Sequence, residues 1–339
     1  MTIKDIAKIA NVSIATVSMV VNKKDERISE ETRQRVLTVI QENNYVPDRI
    51  ASSMITKSTK SLGLILPDIT NPFFPELARG VEDFANEQGW NVILCNSDNK
   101  IDKEESYIEM LQEKKVDGII LASSGQHHST SSVLKKRRIP VVAVDRDIED
   151  LPYTGKVMVN NEKGAYEAVC YMISRGYKKI YHITGPLETH TAACRYKGYL
   201  RALSENEIIP PAEHMMEGMY SSDWGYSAAS NLIDKALEID GIFCGDDMIA
   251  LGAIKAMNEK NVSIPEKVGI VGFDDIYLSK YITPELTTVH QPIYELGYKA
   301  CGLIIKMIQN KPDVNSAGTV SWPKELSLDT TLKIRKTTK

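Results

Sequence analysis

This 339-residue sequence has few cysteines and lacks several other features, and these absences exclude several classes of protein. The five cysteines are odd in number and show no paired spacing, so we expect reduced thiols rather than a disulfide framework or a thiolate metal site. No run of about 20 apolar residues occurs, which argues against a membrane-spanning helix. The amino terminus also lacks an apolar signal core, so we expect a cytoplasmic protein.

Signals of catalysis are equally sparse. The sequence has no glycine-rich phosphate loop of either standard spacing, and its six histidines are scattered, with His127-His128 expected in a solvated loop. Cys194 precedes Arg195, which can lower the pKa of a thiol, but no general base can be named beside it. We therefore expect neither an enzyme nor a bound metal or cofactor.

Charge is distributed unevenly along the chain. The formal net charge is -4, which alone argues against a nucleic-acid partner. Residues 1–60, however, hold ten Lys and Arg against seven Asp and Glu, a balance of +3, which leaves -7 for the remainder. A basic head on an acidic body is typical of a DNA reader joined to a domain that avoids DNA.

Two short helices around a tight turn are predicted at the amino terminus. Thr2 followed by Asp5 predicts a capped helix start. The apolar positions of this first helix share one face and are Ile3, Ile6, Ala7 and Ala10. After a break at Asn11-Val12, Ser13 can cap a second helix, whose apolar face holds Val17, Val20 and Val21. The pattern is typical of a helix-turn-helix motif, whose second helix enters the DNA major groove, and also of an ordinary helical hairpin.

A third helix should close this small core. Ser29 before Glu30-Glu31 predicts its N-cap, with acidic residues in the first turn. We expect Val36, Leu37 and Ile40 to form its buried face and the helix to end near Asn43-Asn44, before Pro47.

The particular residues of the first two helices favour the DNA-binding interpretation. The matching segments are Lys4-Asp5-Ile6-Ala7, Val12-Ser13, Thr16-Val17-Ser18 and Asn22. Together they resemble the lactose-repressor/galactose-repressor family of bacterial transcription regulators, and the resemblance continues to the end of the chain. It implies a sequence-specific transcriptional repressor that acts as a homodimer, each protomer reading one half of a two-fold symmetric operator. The family's tetrameric member has a leucine-rich heptad tail, which this chain lacks, so we expect a dimer.

The resemblance assigns DNA contacts to the head. Ile14, Ala15 and Met19 occupy the base-reading places, and since all three are apolar we expect contacts with thymine methyl groups. Packing of Ile14 inside the core is the competing interpretation. The remaining predicted DNA-binding residues are Thr2, Ser13, Thr16, Ser18, Asn22 and Met54. Met54 stands where the family's hinge helix carries a leucine that wedges into the minor groove, and Met can also serve as a wedge.

Beyond the head, short apolar runs alternate with amphipathic stretches, which predicts parallel strands covered by helices. The predicted strands are Leu62–Leu66, Val92–Cys95, Gly118–Ala122, Val141–Val144, Lys179–Ile183, Gly241–Cys244, Val268–Gly272 and Thr287–Val289. Since eight units exceed one comfortable sheet, we expect two lobes that divide near Asn160. The predicted fold is an all-α helix-turn-helix head plus an α/β two-lobed core with two parallel doubly wound sheets. The resemblance makes this core like a periplasmic sugar-binding protein and adds crossovers near 290 and 320.

Three domains follow from this division. Residues 1–47 should form the DNA-binding head, 48–61 the hinge helix and linker, and 62–339 the effector-binding and dimerisation domain.

Polar and aromatic residues follow the predicted strands, where ligands of such sheets bind. Planar polar groups that pair with vicinal hydroxyls, together with aromatic faces, are typical of a sugar site. Taken singly, each acid is more typical of a helix cap, Asp247 especially. The resemblance to ribose-binding proteins and ribose-operon repressors assigns effector binding to Asn71, Phe73, Phe74, Asp145, Arg146, Arg195, Tyr220, Asp246, Asp274 and Gln291. Two of these depart from that pattern, since Tyr220 replaces a usual Phe and Asp246 a usual Asn.

We therefore predict a repressor controlled by a monosaccharide, with ribose leading and other pentoses or hexoses open. One alternative is a catabolite-control type of regulator whose co-effector is a phosphorylated carrier protein. The other is a purine-responsive repressor. Thr189 stands where purine repressors have a second purine-binding Arg, which argues against a purine.

Overall fold

The protein is described here from a computed structural model, in two units. The structure describes residues 1–22, 25–45, 58–124, 134, 139–148, 154–210, 213–235, 238–310 and 325–339. The chain separates into a head, Met1–Thr59, and a body, Lys60–Lys339. No helix in the described ranges is long and apolar enough to cross a membrane. The hinge residue Met54 and the His127-His128 pair lie outside the described residues.

Three capped helices form the head. They are α1 (Ile3–Ile9), α2 (Ile14–Val21) and α3 (Glu30–Glu42). The Thr2 hydroxyl and the Asp5 carboxylate exchange hydrogen bonds with each other's backbone, which confirms the predicted capping box. Ser13 and Ser29 cap the next two helices by accepting hydrogen bonds from the backbone N–H groups of Thr16 and Thr32.

The head encloses one small apolar core. Its buried members are Ile6, Ala7, Ala10, Val17, Val20, Val36 and Val39. The prediction for α3 was wrong at Leu37, which is 37% exposed, while Val39 is buried instead. Successive residues of a helix are about 100° apart, so Leu37 lies on the side of Val36 that faces away from Val39.

The body contains two six-stranded sheets. The first has the strand order β11-β5-β4-β3-β1-β2 and the second the order β12-β10-β9-β8-β6-β7. The first sheet consists of β1 (Ser61–Leu66), β2 (Asn91–Asn96), β3 (Gly118–Leu121), β4 (Val141–Val144), β5 (Thr154–Val159) and β11 (Glu325–Leu328). The second consists of β6 (Ile180–Thr184), β7 (Met215–Glu217), β8 (Gly241–Cys244), β9 (Gly269–Asp274), β10 (Thr287–His290) and β12 (Thr331–Lys333).

All described strand pairs are parallel except that β12 runs antiparallel to β10. The two-lobed fold with doubly wound sheets is therefore confirmed. The sequence did not predict β5, β7, β11 or β12. Three of these are edge strands with partly exposed residues, and in β5 the apolar run is interrupted by Gly155-Lys156.

Helices cover both faces of each sheet. The first lobe holds α4 (Phe73–Glu87), α5 (Ile101–Glu113) and α10 (Ile293–Gln309), and the second holds α6 (Asn161–Ser174), α7 (His190–Glu205), α8 (Ser222–Asp234) and α9 (Asp247–Glu259). In β1, Leu64 packs in the cluster that contains residues of α4 and α10, whereas Ile65 packs with residues of α5. This alternation follows from the two-residue side-chain period of a strand.

The chain crosses between the lobes at three short connections. The first lies between β5 and α6, the second between β10 and α10, and the third between β11 and β12. The third crossing falls between Leu328 and Thr331. This is later than the position near Val320 that the resemblance implies, because β11 still belongs to the first sheet, where it pairs with β5. Each connection between described elements is only one or two residues long.

A buried histidine lies in the core of the second lobe. The His182 ring stacks on Phe243 and Tyr199, with ring centroids 4.9 and 5.3 Å away, and its Nδ1 is 2.9 Å from the Phe243 carbonyl oxygen. Burial lowers the pKa of His182 to about 4. The folded protein therefore holds a neutral imidazole at a pH where the unfolded chain would bind a proton.

This buried imidazole should make the body sensitive to acid. Because the pKa of His182 is lower when folded, its contribution to stability is complete above the unfolded value of about 6.5 and is lost as pH falls towards 4, by roughly 3 kcal/mol. Urea unfolding can be followed by tryptophan fluorescence, since all three tryptophans lie in the body. We expect His182→Phe to remove this part of the pH dependence. Parallel pH profiles for parent and variant would contradict the assignment.

Candidate functional site

The outer face of α2 is the candidate DNA-reading surface of the head. Ile14 and Met19 are 44% and 39% exposed, so Ile14 does not pack inside. Ala15 is exposed beside them. These three residues form an apolar surface on a helix that otherwise turns its valines inward.

The polar residues among the predicted DNA contacts have hydrogen-bond partners within the head. The Ser13 and Thr16 hydroxyls lie 2.9 Å apart, and the Asn22 amide donates to the Ser18 carbonyl oxygen at 2.8 Å. The Thr2 hydroxyl donates to the Asp5 carboxylate at 2.8 Å. These contacts fix the side chains at the start of α1 and at both ends of α2.

A small cavity lies in the body and is lined by residues from both lobes. Nine of the ten predicted effector residues line it, namely Asn71, Phe73, Phe74, Asp145, Arg146, Arg195, Tyr220, Asp246 and Asp274, together with Thr191. Gln291 lies behind this wall, where its side-chain amide donates to Asp274 Oδ1 at 2.6 Å. Thr191 was not predicted, because a threonine in a helical turn carries no distinguishing signal in sequence.

The start of α4 supplies the wall from the first lobe. Asn71 Oδ1 accepts a hydrogen bond from the Phe73 backbone N–H at 3.1 Å, which fixes the orientation of its amide. Asn71 Nδ2 then donates across the cleft to Asp246 Oδ2 at 3.2 Å. Phe73 and Phe74 pack edge to face, with ring centroids 5.1 Å apart, and both are buried.

Asp145 and Arg146 follow β4. Arg146 Nη1 donates to the Ser123 carbonyl oxygen at 3.0 Å and to Asn99 Oδ1 at 3.2 Å, which holds the guanidinium over the Phe74 ring. Asp145 has a left-handed backbone (φ 63°), and its buried Oδ1 has no hydrogen-bond partner among the described residues. Burial raises the pKa of Asp145, while Arg195 and Arg146 act to lower it. The unpartnered oxygen is available to a ligand hydroxyl.

Arg195 is the central buried cation of the second lobe. Its Nε donates to Asn161 Oδ1 at 2.8 Å and its Nη1 donates to the Gly245 carbonyl oxygen. Its Nη2 lies 3.5 Å from Asp274 Oδ1, and the guanidinium stacks 3.8 Å above the centroid of Phe273. Burial among other carboxylates raises the pKa of Asp274 well above its usual range despite this arginine.

The structure changes the predicted helix cap at the start of α9, where two acids are adjacent. Asp246, not Asp247, caps the helix, because its Oδ1 accepts the Ile249 N–H at 2.8 Å. The Asp247 carboxylate instead accepts from Ile276 N–H at 2.9 Å, Ser279 Oγ at 2.6 Å and Thr288 Oγ1 at 2.5 Å. Burial raises the pKa of Asp246 to about 6 and that of Asp247 to about 7. Asp247 thus supports the loop that follows Asp274.

Tyr220 closes the cavity from the side of α8. Its hydroxyl lies 3.3 Å from Thr191 Oγ1, and its ring lies so close to Gly185 that a Cβ there would be 2.3 Å from it. A second, larger cavity shares Asn71, Phe74, Arg146 and Tyr220 with the first. The cleft therefore continues beyond the inner cavity.

Two features considered in the sequence analysis concern the Cys194 thiol and a possible metal site. The expectation of a lowered pKa at Cys194 was wrong, because burial raises it. Within the described ranges, no cluster of three His, Cys, Asp or Glu residues is placed to hold a metal ion. The arrangement of charged, polar and aromatic groups can bind a polar ligand.

A helix-turn-helix head joined to a two-lobed α/β body with a polar cleft defines a ligand-responsive DNA-binding regulator. Residues 2–48 match the model of bacterial regulatory proteins of the lacI family, and residues 59–324 match that of periplasmic binding proteins and the sugar-binding domain of the LacI family. The chain belongs to the LacI family of transcription regulators.

Individual relatives agree with this assignment. The ribose operon repressor of Halalkalibacterium halodurans is 42% identical over 92% of this chain and 91% of its own length. The transcriptional repressor PurR of Aliivibrio salmonicida is 36% identical over 91% and 93% of the two chains. Among solved structures, a LacI-family regulator from Enterococcus faecium with bound ribose is 31% identical, with a TM-score of 0.71 over 82% of this chain and 98% of that one.

The three hydrogen bonds to Asp247 generate a stability prediction. Asp247→Ala should lower the free energy of unfolding by about 3 kcal/mol, because three buried donors lose their acceptor. Asp247→Asn is the matched control, since its amide oxygen can still accept from Ile276 and Ser279. Urea denaturation followed by tryptophan fluorescence measures both. Equal stability of Asp247→Ala and the parent would show that these bonds contribute little.

Proposed function

We propose that this regulator is a transcriptional repressor whose operator affinity is controlled by a small monosaccharide bound between the lobes, with D-ribose leading. The observation that supports it best is the inner cavity. Two guanidinium groups, three carboxylates and two phenylalanine rings converge there from both lobes.

This set of groups suits a sugar ring. Arginines and carboxylates form paired, charge-assisted hydrogen bonds with neighbouring hydroxyls, and aromatic faces cover C–H surfaces. Because Asn71 lies in one lobe and Asp246 in the other, a ligand that bonds to both favours the closed cleft. A pentose is favoured by the relative named as a ribose operon repressor and by the solved LacI-family regulator that has ribose bound.

The head supplies the DNA contacts of this proposal. Ile14, Ala15 and Met19 read base edges by apolar contact, while Thr16, Ser18 and Asn22 contact phosphates. Thr2 and Ser13 are the other DNA-binding residues of the head. Met54 acts as the minor-groove wedge of a hinge that folds when two protomers bind a two-fold symmetric operator. The proposed domains are the head at 1–47, the hinge at 48–61 and the effector domain at 62–339.

The sugar acts as an inducer in this proposal. Closure of the cleft changes the spacing of the two hinges in the dimer, with a coupling free energy of about 1–3 kcal/mol. The protein is cytoplasmic and catalyses no reaction. Its regulation then depends only on the difference in sugar affinity between the free and the operator-bound dimer.

Two alternatives remain open to test. A phosphorylated carrier protein as co-effector predicts strong binding of that protein without a response to sugars. A purine effector is less well supported, because the Thr189 hydroxyl donates to the Pro186 carbonyl oxygen at 2.7 Å and caps α7, so no guanidinium stands there.

The ligand assignment predicts specific losses of affinity. Arg195→Ala and Asp274→Ala should each weaken D-ribose binding about ten- to hundredfold, because a charge-assisted hydrogen bond is worth about 1.5–3 kcal/mol. Phe73→Ala should weaken it through lost stacking. Arg201→Ala is the matched control, since Arg201 lies on the same helix, is exposed and pairs with Glu205. Isothermal titration of pentoses and hexoses measures these affinities, and no heat with any monosaccharide would favour the carrier-protein alternative.

The DNA assignment predicts separable functions. Removing residues 1–60 should abolish operator binding and leave sugar binding intact, and operator affinity of the full chain should fall steeply with salt because phosphate contacts release counterions. Ile14→Ala should weaken specific binding roughly tenfold without unfolding the head. Ile9→Ala serves as the control, because Ile9 is 53% exposed but lies on α1. Gel-shift titrations decide this, and operator binding by the truncated chain would refute the assignment.

A further inference from the structure

The inner cavity carries one negative charge in excess when its groups are ionised. Its described lining contains three carboxylates, Asp145, Asp246 and Asp274, and two guanidinium groups, Arg146 and Arg195. All five residues are buried, with at most 5% of their surface exposed. Solvent therefore does little to screen the excess negative charge.

Among these three carboxylates, the geometry leaves Asp246 the least compensated. Arg195 lies 3.5 Å from Asp274, and Arg146 lies 4.0 Å from Asp145, so each of those carboxylates has a cation beside it. In the part of the chain that the structure describes, no Lys, Arg or His nitrogen lies within ion-pair distance of Asp246. Its hydrogen bonds come from neutral donors, the Ile249 N–H and the Asn71 amide.

The surroundings of Asp246 oppose a full charge there. The adjacent Asp247 belongs to the same helix, Asp274 and Asp145 face the same cavity from two strand ends, and Tyr220 lies opposite. Arg195 and Arg146 act on Asp246 only from beyond hydrogen-bond distance. Burial dominates, and it raises the pKa of Asp246 to about 6, so that the carboxyl titrates close to neutral pH.

The neighbouring hydrogen bonds leave room for a positive charge. Asn71 is held with its Nδ2 towards Asp246, because its Oδ1 already accepts from Phe73 N–H. Asp246 Oδ1 is committed to the helix cap. Oδ2 accepts only one hydrogen bond in the described structure, so it can also carry a proton or accept from an ammonium group.

We propose that the cleft binds its sugar together with one positive charge at Asp246, which is either a proton on the carboxyl group or the ammonium group of an amino sugar. The inference rests on the proposed function, since it concerns the same site. A neutral sugar that fills the cavity makes the excess carboxylate more costly, so binding takes up a proton. An amino sugar brings the charge itself. A sugar phosphate adds negative charge and is rejected.

Isothermal titration of the full-length protein tests this with D-ribose and 2-amino-2-deoxy-D-ribose between pH 5.5 and 8.5. We expect ribose affinity to be constant at the acidic end and to fall about tenfold per pH unit at the basic end, as linkage to one proton requires. At pH 7, titrations in phosphate and Tris, whose ionisation enthalpies differ, should show uptake of about one proton with ribose. Tighter binding of the amino sugar without proton uptake would identify the ligand ammonium as the charge.

Two variants locate the effect. Asp246→Asn keeps a good helix cap, so it should fold, and we expect it to bind ribose with an affinity independent of pH and without proton uptake. Asp102→Asn changes an exposed carboxylate on α5 and should keep the parent profile. Thermal denaturation of both variants checks that they are folded.

The possible outcomes separate this inference from the proposed function. Ribose binding that is independent of pH, with no proton uptake and no preference for the amino sugar, would overturn the inference and leave the sugar function intact. The same holds if Asp246→Asn keeps the parent's pH dependence. No heat with any sugar at any pH would overturn the sugar function and this inference together.

Discussion

The cleft depends on the burial of one guanidinium group, that of Arg195. A buried cation is tolerated only when neighbouring groups compensate it, and removal of one partner is costly. Here the compensation comes from Asn161 at the start of α6, the carbonyl oxygen of Gly245 after β8 and the carboxylate of Asp274 at the end of β9. One side chain on α7 thus fixes three strand and helix ends relative to one another, and the cleft wall of the second lobe is set by that requirement.

Backbone conformation at the strand ends adds a second constraint. Asp145 and Asp274 have φ angles of 63° and 118°, in the left-handed region that favours glycine. Such conformations cost free energy and persist where the surroundings hold them. Gln291 holds Asp274 through a backbone and a side-chain hydrogen bond, and Asp247 holds the segment that follows. The strain turns both carboxylates towards the cavity.

Sequence reasoning located the candidate site because the ends of parallel strands necessarily meet at one edge of a sheet. It failed where the assignment depended on one or two positions of register. Asp246 and Asp247 are adjacent, and only the observed start of α9 decides which one caps the helix and which faces Ser279 and Thr288. Gln291 was predicted to bind the ligand, but it lies behind Asp274. The spacing of residues along the sequence does not show how far a side chain lies from a cavity. The same one-position uncertainty explains why Leu37, which was predicted to be buried, is exposed.

The three connections between the lobes have a mechanical consequence. A single linker would let one lobe twist, slide and tilt against the other. Three short connections, each of one or two residues between described elements, remove most of those freedoms and leave rotation about one axis. The Asn71–Asp246 hydrogen bond across the cleft therefore joins two lobes whose relative movement is restricted by these connections. A change at the cleft would then appear as one defined displacement of the two lobes and not as many small independent motions.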